Sequence, residues 1–177
     1  MTNDADHPYR RQPAHAFWRN AVQGKAPEEI GHWYRRKWPI DNAAIATAGS
    51  CFAQHIGRRL RKSGHQFIDV ERTPRPMPVS ERPRWGFEMY SARYGNIYTA
   101  RQLLQLIQRA TGEFRPRETA WALGEGFVDP FRPNIEPFPL DSVEEVAALR
   151  DDHLGQVVRM FERTNVFVFT LGLTEAW

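Results

Sequence analysis

The apolar positions fall into a few runs whose spacing predicts the elements. "AAIATAGS" (Ala43 to Ser50) is a small-residue run ending in glycine and serine; it suits a buried strand, although its propensity also allows a helix. From Ser50 the apolar positions Phe52, Ile56 and Leu60 recur every four residues among Arg58, Arg59, Arg61 and Lys62, which predicts an amphipathic helix with Gly64 in the C-cap place. "HQFIDVE" then reads as a second strand, giving strand, helix and strand over the length of a βαβ unit.

Further along, "RTPRPMPVSERPRWGF" carries Pro74, Pro76, Pro78 and Pro83 and is expected to be a long surface excursion or a flap that covers a site. Thr99 is a candidate N-cap for a helix with apolar Leu103, Leu104, Leu106 and Ile107 and a stop at Gly112. "ETAWALGEGFVDPFRPNIEPFPL" suggests a hairpin with a proline-rich exit. From Asp141 an acidic first turn, apolar Val146, Leu149, Leu154, Val157, Val158 and Phe161, and a basic end predict a long helix. "NVFVFTLG" follows as a central parallel strand buried on both faces. Residues 1–40 are polar and rich in Arg and Pro, and read as an arm with one or two short helices packed on a body of residues 41–177.

This order of strand, loop and helix argues for a doubly wound α/β sheet, whose ligands sit beyond the carboxyl ends of the strands. Three places qualify: Gly49 to Cys51, the Gly95–Asn96 loop, and Gly172 to Trp177. At a strand-to-helix junction the first helical N–H groups have no intrahelical partner, so they favour a thiolate or a tetrahedral oxyanion. Either Ser50 or Cys51 could use them. The plain alternative is that Ser50 only N-caps the helix and Cys51 is a small buried hydrophobe.

Composition narrows the choices. A chain of 177 residues with 41% apolar content suits one domain with one core. Its 24 Lys and Arg against 21 Asp and Glu leave +3, far from the field of a dedicated nucleic-acid binder, so the Arg runs read as solvated faces with no specific nucleic-acid partner. Cys51 is the single cysteine, which excludes a disulfide framework within the chain and a cysteine-rich zinc site, and no cofactor or metal is expected. His153 in "RDDHLG" has acidic neighbours, but adjacent helical residues diverge and do not make a metal site. With no apolar leader and no span-length apolar run, a cytoplasmic protein off the membrane is expected.

"GSCFA" (Gly49 to Ala53), "RYGNIYTARQLL" (Arg93 to Leu104) and "FTLGLTEAW" (Phe169 to Trp177), in that order, resemble the GSCFA-domain family, a bacterial group allied to the SGNH, or GDSL, hydrolases. The resemblance implies a flavodoxin-like three-layer α/β/α sandwich. It also implies hydrolysis or transfer of O-linked acyl groups, with a small-molecule or carbohydrate ester as substrate. The superfamily's first block, Gly-Asp-Ser and an apolar residue, anchored on Gly49, places Cys51 at the nucleophile; anchored on residue type, it places Ser50 there. The apolar phase of the helix leans toward Cys51. The second block's backbone donor falls at Gly95 and Asn96. The third block, Gly-x-Asn-Asp, reads Gly172-Leu173-Thr174-Glu175 here, so Thr174 would donate through a hydroxyl where the superfamily uses an amide.

Superfamily members also carry a late Asp-x-x-His, and no histidine follows the third block in this sequence. The expectation is therefore the N-terminal part of a longer domain, incomplete at its C-terminus and almost inactive alone. The competing reading is a non-catalytic carbohydrate-binding or protein-interaction domain on the same fold.

Overall fold

The computed structural model describes residues 9–31, 38–74 and 76–171. The chain divides into residues 1–39 and 40–177. In the first unit a 3-10 turn at Ala14–Ala16 leads into α1 (Trp18–Ala21), and a second turn spans Pro27–Glu29. Lys25 donates to the Asn20 carbonyl and Glu29 accepts from the Ala26 N–H, so local bonds hold the fold of this segment.

The second unit is a small parallel sheet flanked by helices. Strand β1 (Ile45–Gly49) is buried at every position, as its small apolar residues require, and α2 (Cys51–Lys62) follows directly. The helix α3 (Ala100–Ala110) starts at Thr99, whose hydroxyl accepts from the Gln102 N–H while the Gln102 side chain accepts from the Thr99 N–H. Strands β2 (Trp121–Leu123) and β3 (Gly126–Val128) form the expected hairpin, turning at Gly124 with φ +61°. Ser142 caps α4 (Val143–Arg163), which carries Glu144 and Glu145 at its start and Arg163 at its end. Strand β4 (Val166–Thr170) then pairs in parallel with β1, in register from Ile45–Val166 to Gly49–Thr170.

Three sequence expectations are corrected. "HQFIDVE" is not a full strand: it makes a single parallel bridge, with the Ile45 N–H donating to Gln66 and the Ile68 N–H to Ile45. Beyond that bridge the Ser91 hydroxyl accepts from the Thr47 N–H at 2.9 Å and the Ser91 carbonyl accepts from Val70, so residue 91 occupies the edge a strand would need. β4 is half-buried, not buried on both faces, because among the described residues only β1 pairs with it.

The third correction is the phase of α2. Its buried positions are Ala53 and Gly57, whereas Phe52 is 63% exposed. Small residues face the sheet because the helix lies very close to it: a Cβ on Gly57 would stand 3.1 Å from the Phe67 ring and 3.3 Å from Thr47 Oγ1. Phe52 is too large for that face and turns to solvent.

Ala46, Ala48, Ala53, Tyr94, Leu106, Val157 and Met160 belong to one buried cluster, which ties β1 to α2, α3 and α4. The proline-rich excursion is tied down where it rejoins the body. Gly86 takes φ +69°, where a Cβ would fall 2.4 Å from Ile135 Cδ1, and Arg93 donates to the Trp85 carbonyl while pairing with Glu136 at 2.8 Å.

Candidate functional site

The carboxyl end of β1 is shaped by Gly49. Its φ of +140° and the position of Thr170, whose Oγ1 would lie 2.2 Å from an added Cβ, leave room for glycine alone. The chain then enters α2 through Ser50, which is the N-cap: its hydroxyl accepts from the Phe52 N–H at 3.3 Å. Ser50 is buried and Cys51 is exposed. The two neighbours thus diverge because Ser50 falls three and seven residues before the buried Ala53 and Gly57, while Cys51 falls off that stripe. Of the plain alternative, the N-cap role of Ser50 is found and the burial of Cys51 is not; the basis of the phase argument falls too, since Phe52 does not mark the buried face.

The Gly95–Asn96 loop comes to this strand end through one bond, the Ile97 N–H donating to the Gly49 carbonyl at 2.8 Å. Gly95 takes φ +71° with open space around its α-carbon, so conformation and not room calls for glycine there. Asn96 is exposed, and its Oδ1 accepts a hydrogen bond from the Tyr90 hydroxyl. That hydroxyl in turn accepts from Gln54 Nε2 at 3.0 Å, which links the loop to the first turn of α2. Burial raises the Tyr90 phenol above its ordinary value, against the Gln54 bond, with smaller upward contributions from Cys51 and Tyr98. The phenol stays protonated and keeps the Asn96 carbonyl end engaged, leaving the amide NH2 as the free end. Among the described residues the backbone N–H of Asn96 has no hydrogen-bond partner.

A cavity of about 430 Å³ adjoins this loop, lined by Tyr90, Gly95, Asn96 and Tyr98 together with Pro83 and Gly86 of the excursion. The excursion therefore contributes a wall beside the loop. Gly172 and Thr174, the remaining sequence candidates, lie outside the described residues.

Neither His55 nor His153 makes a hydrogen bond to Ser50 or Cys51. His55 is exposed on α2 beside Arg58, and the Phe52 and His55 rings lie 6.4 Å apart. His153 is buried on α4 with Nδ1 at 2.7 Å from Glu71 Oε2, which also accepts from the Arg93 N–H. Burial lowers the His153 pKa; burial pushes Glu71 the other way, but its bonds to His153 and Arg93 prevail and hold it below the ordinary carboxylate range. A neutral imidazole donating Nδ1–H to a carboxylate fits both directions. Among the described residues no group of three potential ligands is arranged to hold a metal, and no helix is long and apolar enough to cross a membrane.

Sequence reasoning missed Tyr90 and Gln54. Gln54 lies four residues after Ser50, a spacing that puts it over the helix start; Tyr90 gives no local signal. The GSCFA family model matches residues 44–177, and the chain belongs to that family. No curated protein and no solved structure matches the chain.

Proposed function

From membership of the GSCFA family and the geometry at the head of α2, we propose that this domain is an SGNH-like hydrolase or acyltransferase for O-linked acyl esters, possessing a flavodoxin-like three-layer sandwich, with Cys51 as nucleophile. The observation that carries the reading is the divergence at residues 50 and 51: the Ser50 hydroxyl is engaged as the N-cap, while the Cys51 thiol stands exposed and free at the first position of α2. The parallel β1–β4 pair with helices packed around it supports the architecture.

In this reading the Cys51 thiolate attacks the ester carbonyl, forming a C–S bond as the carbonyl electron pair moves onto oxygen. The free N–H of Asn96, and its side-chain amide held by Tyr90, supply donors for the oxyanion. Collapse expels the alkoxide, which takes a proton from water and leaves as the alcohol, and water or a second hydroxyl compound then cleaves the thioester, releasing the acyl product and the Cys51 thiolate. Gly95 belongs to the same loop, Gly172 and Thr174 stand at the superfamily's third block, where Thr174 would donate through its hydroxyl in place of an amide, and the substrate class is a small-molecule or carbohydrate ester.

Labelling tests the assignment. Iodoacetamide at mildly acidic pH is expected to modify Cys51, and nitrophenyl acetate to leave an acetyl group on it that Cys51→Ala abolishes. Capture of Ser50 by a fluorophosphonate would transfer the role to serine. Inertness toward all three reagents would favour a non-catalytic binding domain.

A further inference from the structure

A second cavity, of about 270 Å³, lies between α3 and the loop after β3, lined by Asn96, Gln102, Gln105, Arg109, Phe131 and Arg132 among others. Its charges do not balance locally. Asp129 is the carboxylate nearest to hand, and both its oxygens are engaged: Oδ2 accepts from Arg132 Nε at 2.9 Å and Oδ1 from the Phe131 N–H at 3.0 Å. Arg132 is 6% exposed and also donates to the Arg93 carbonyl. Arg150, the third guanidinium acting on this neighbourhood, donates to the Thr119 carbonyl.

Arg109 has no such partner. Its guanidinium lies over the Phe131 ring at 3.8 Å, and among the described residues it makes no hydrogen bond or ion pair; its Nε is buried and unbonded. Burial, and more weakly Arg132 and Arg150, lower its pKa to about 10 against the pull of Asp129, so it is charged at neutral pH. The residue is half-buried, and a guanidinium with an unbonded Nε, stacked on a ring beside a polar cavity, presents a planar fork suited to a carboxylate or a phosphate. Gln105 adds amide donors on the same wall. Gln102 spends its carbonyl oxygen on the Tyr98 and Thr99 N–H groups, so its remaining polar group is a donor too.

We propose that the cavity between α3 and the loop after β3 binds the acidic group, carboxylate or phosphate, of a small ligand, with Arg109 as its principal partner. The volume is near the lower end for small-molecule sites, which suits one such group and its immediate attachment. Asn96 borders both this cavity and the one beside the candidate donor loop. The ligand is therefore the acid-bearing portion of the ester substrate, an identification that rests on the proposed function; the binding of the anion does not.

The test titrates inorganic phosphate and malonate separately into the whole chain at constant ionic strength, read by calorimetry, with thermal unfolding of each variant as a check on folding. Saturable binding is expected, weakened on the order of tenfold by Arg109→Gln and by Gln105→Glu, and less by Arg109→Lys. Tighter phosphate binding would indicate a phosphorylated ligand, tighter malonate binding a carboxylated one. If Arg109→Gln unfolds, Gln105→Glu decides, because it adds repulsion to a half-exposed position. Absence of saturable binding by either anion, or equal affinity in folded variants, overturns the inference. Anion binding that persists in Cys51→Ala while Cys51 proves unreactive would remove the ester reading alone.

Discussion

Gly49 and Thr170 face each other across the last rung of the β1–β4 ladder so closely that a Cβ on residue 49 would stand 2.2 Å from Thr170 Oγ1 and 2.7 Å from its carbonyl oxygen. Trimming residue 170 would remove the first clash and keep the second. Gly49→Ala is therefore expected to destabilise the domain by on the order of 3 kcal/mol, combining overpacking with a positive φ. Thr170→Ala in the same chain should restore only part of it. Urea unfolding measures both, and full recovery in the double variant would refute the backbone contribution.

The phase of α2 gives a second prediction. Phe52→Ala removes an exposed ring and should change stability by no more than about 0.5 kcal/mol. Ala53→Leu, one residue along, forces bulk against β1 and should cost about 1–3 kcal/mol. The reverse order in denaturant midpoints would restore the sequence-based phase.

Tyr90 positions Asn96 and Gln54 through one hydroxyl. Tyr90→Phe should lower stability by about 1–2 kcal/mol for two lost hydrogen bonds. If Asn96 is an oxyanion donor, the rate at which nitrophenyl acetate acetylates Cys51 should fall about tenfold or more. A change in stability with that rate intact would assign the trio a purely structural role.

The Glu71–His153 pair predicts sensitivity to acid. His153 is lowered from 6.5 and Glu71 from 4.5, so for each the unfolded chain binds its proton more readily than the folded one. Their stabilisation is present at neutral pH; the histidine's share fades as pH falls below about 6.5 and the carboxylate's as pH falls below about 4.5. Asp69, raised to about 6 by burial despite Arg61 at 2.7 Å, works in the opposite sense, since protonation favours its folded state between about 4 and 6. Glu71→Gln should therefore lower Tm at pH 7, with the gap to the unaltered chain closing below pH 4.5. A gap constant with pH would show that Glu71 acts through packing alone.

The sequence by itself determined whatever near neighbours decide. Thr99 and Ser142 cap α3 and α4, glycine turns the hairpin at residue 124, and the small apolar run into Gly49 and Ser50 makes a buried strand followed at once by a helix, because caps and turns depend on atoms a few residues apart. The three motifs that mark the family were legible for the same reason: each is a contiguous string. Tertiary structure alone decided which side of α2 is buried, since the closeness of β1 and Phe67 selects Ala53 and Gly57 over the larger Phe52. It also decided that Ser91 ends the edge after one bridge, that Tyr90 joins the loop at Asn96 to the helix at Gln54, and that His153 meets a glutamate 82 residues away. These contacts are made between segments distant along the chain, where no spacing rule applies, and their energies come from packing and desolvation that exist only once the segments have met.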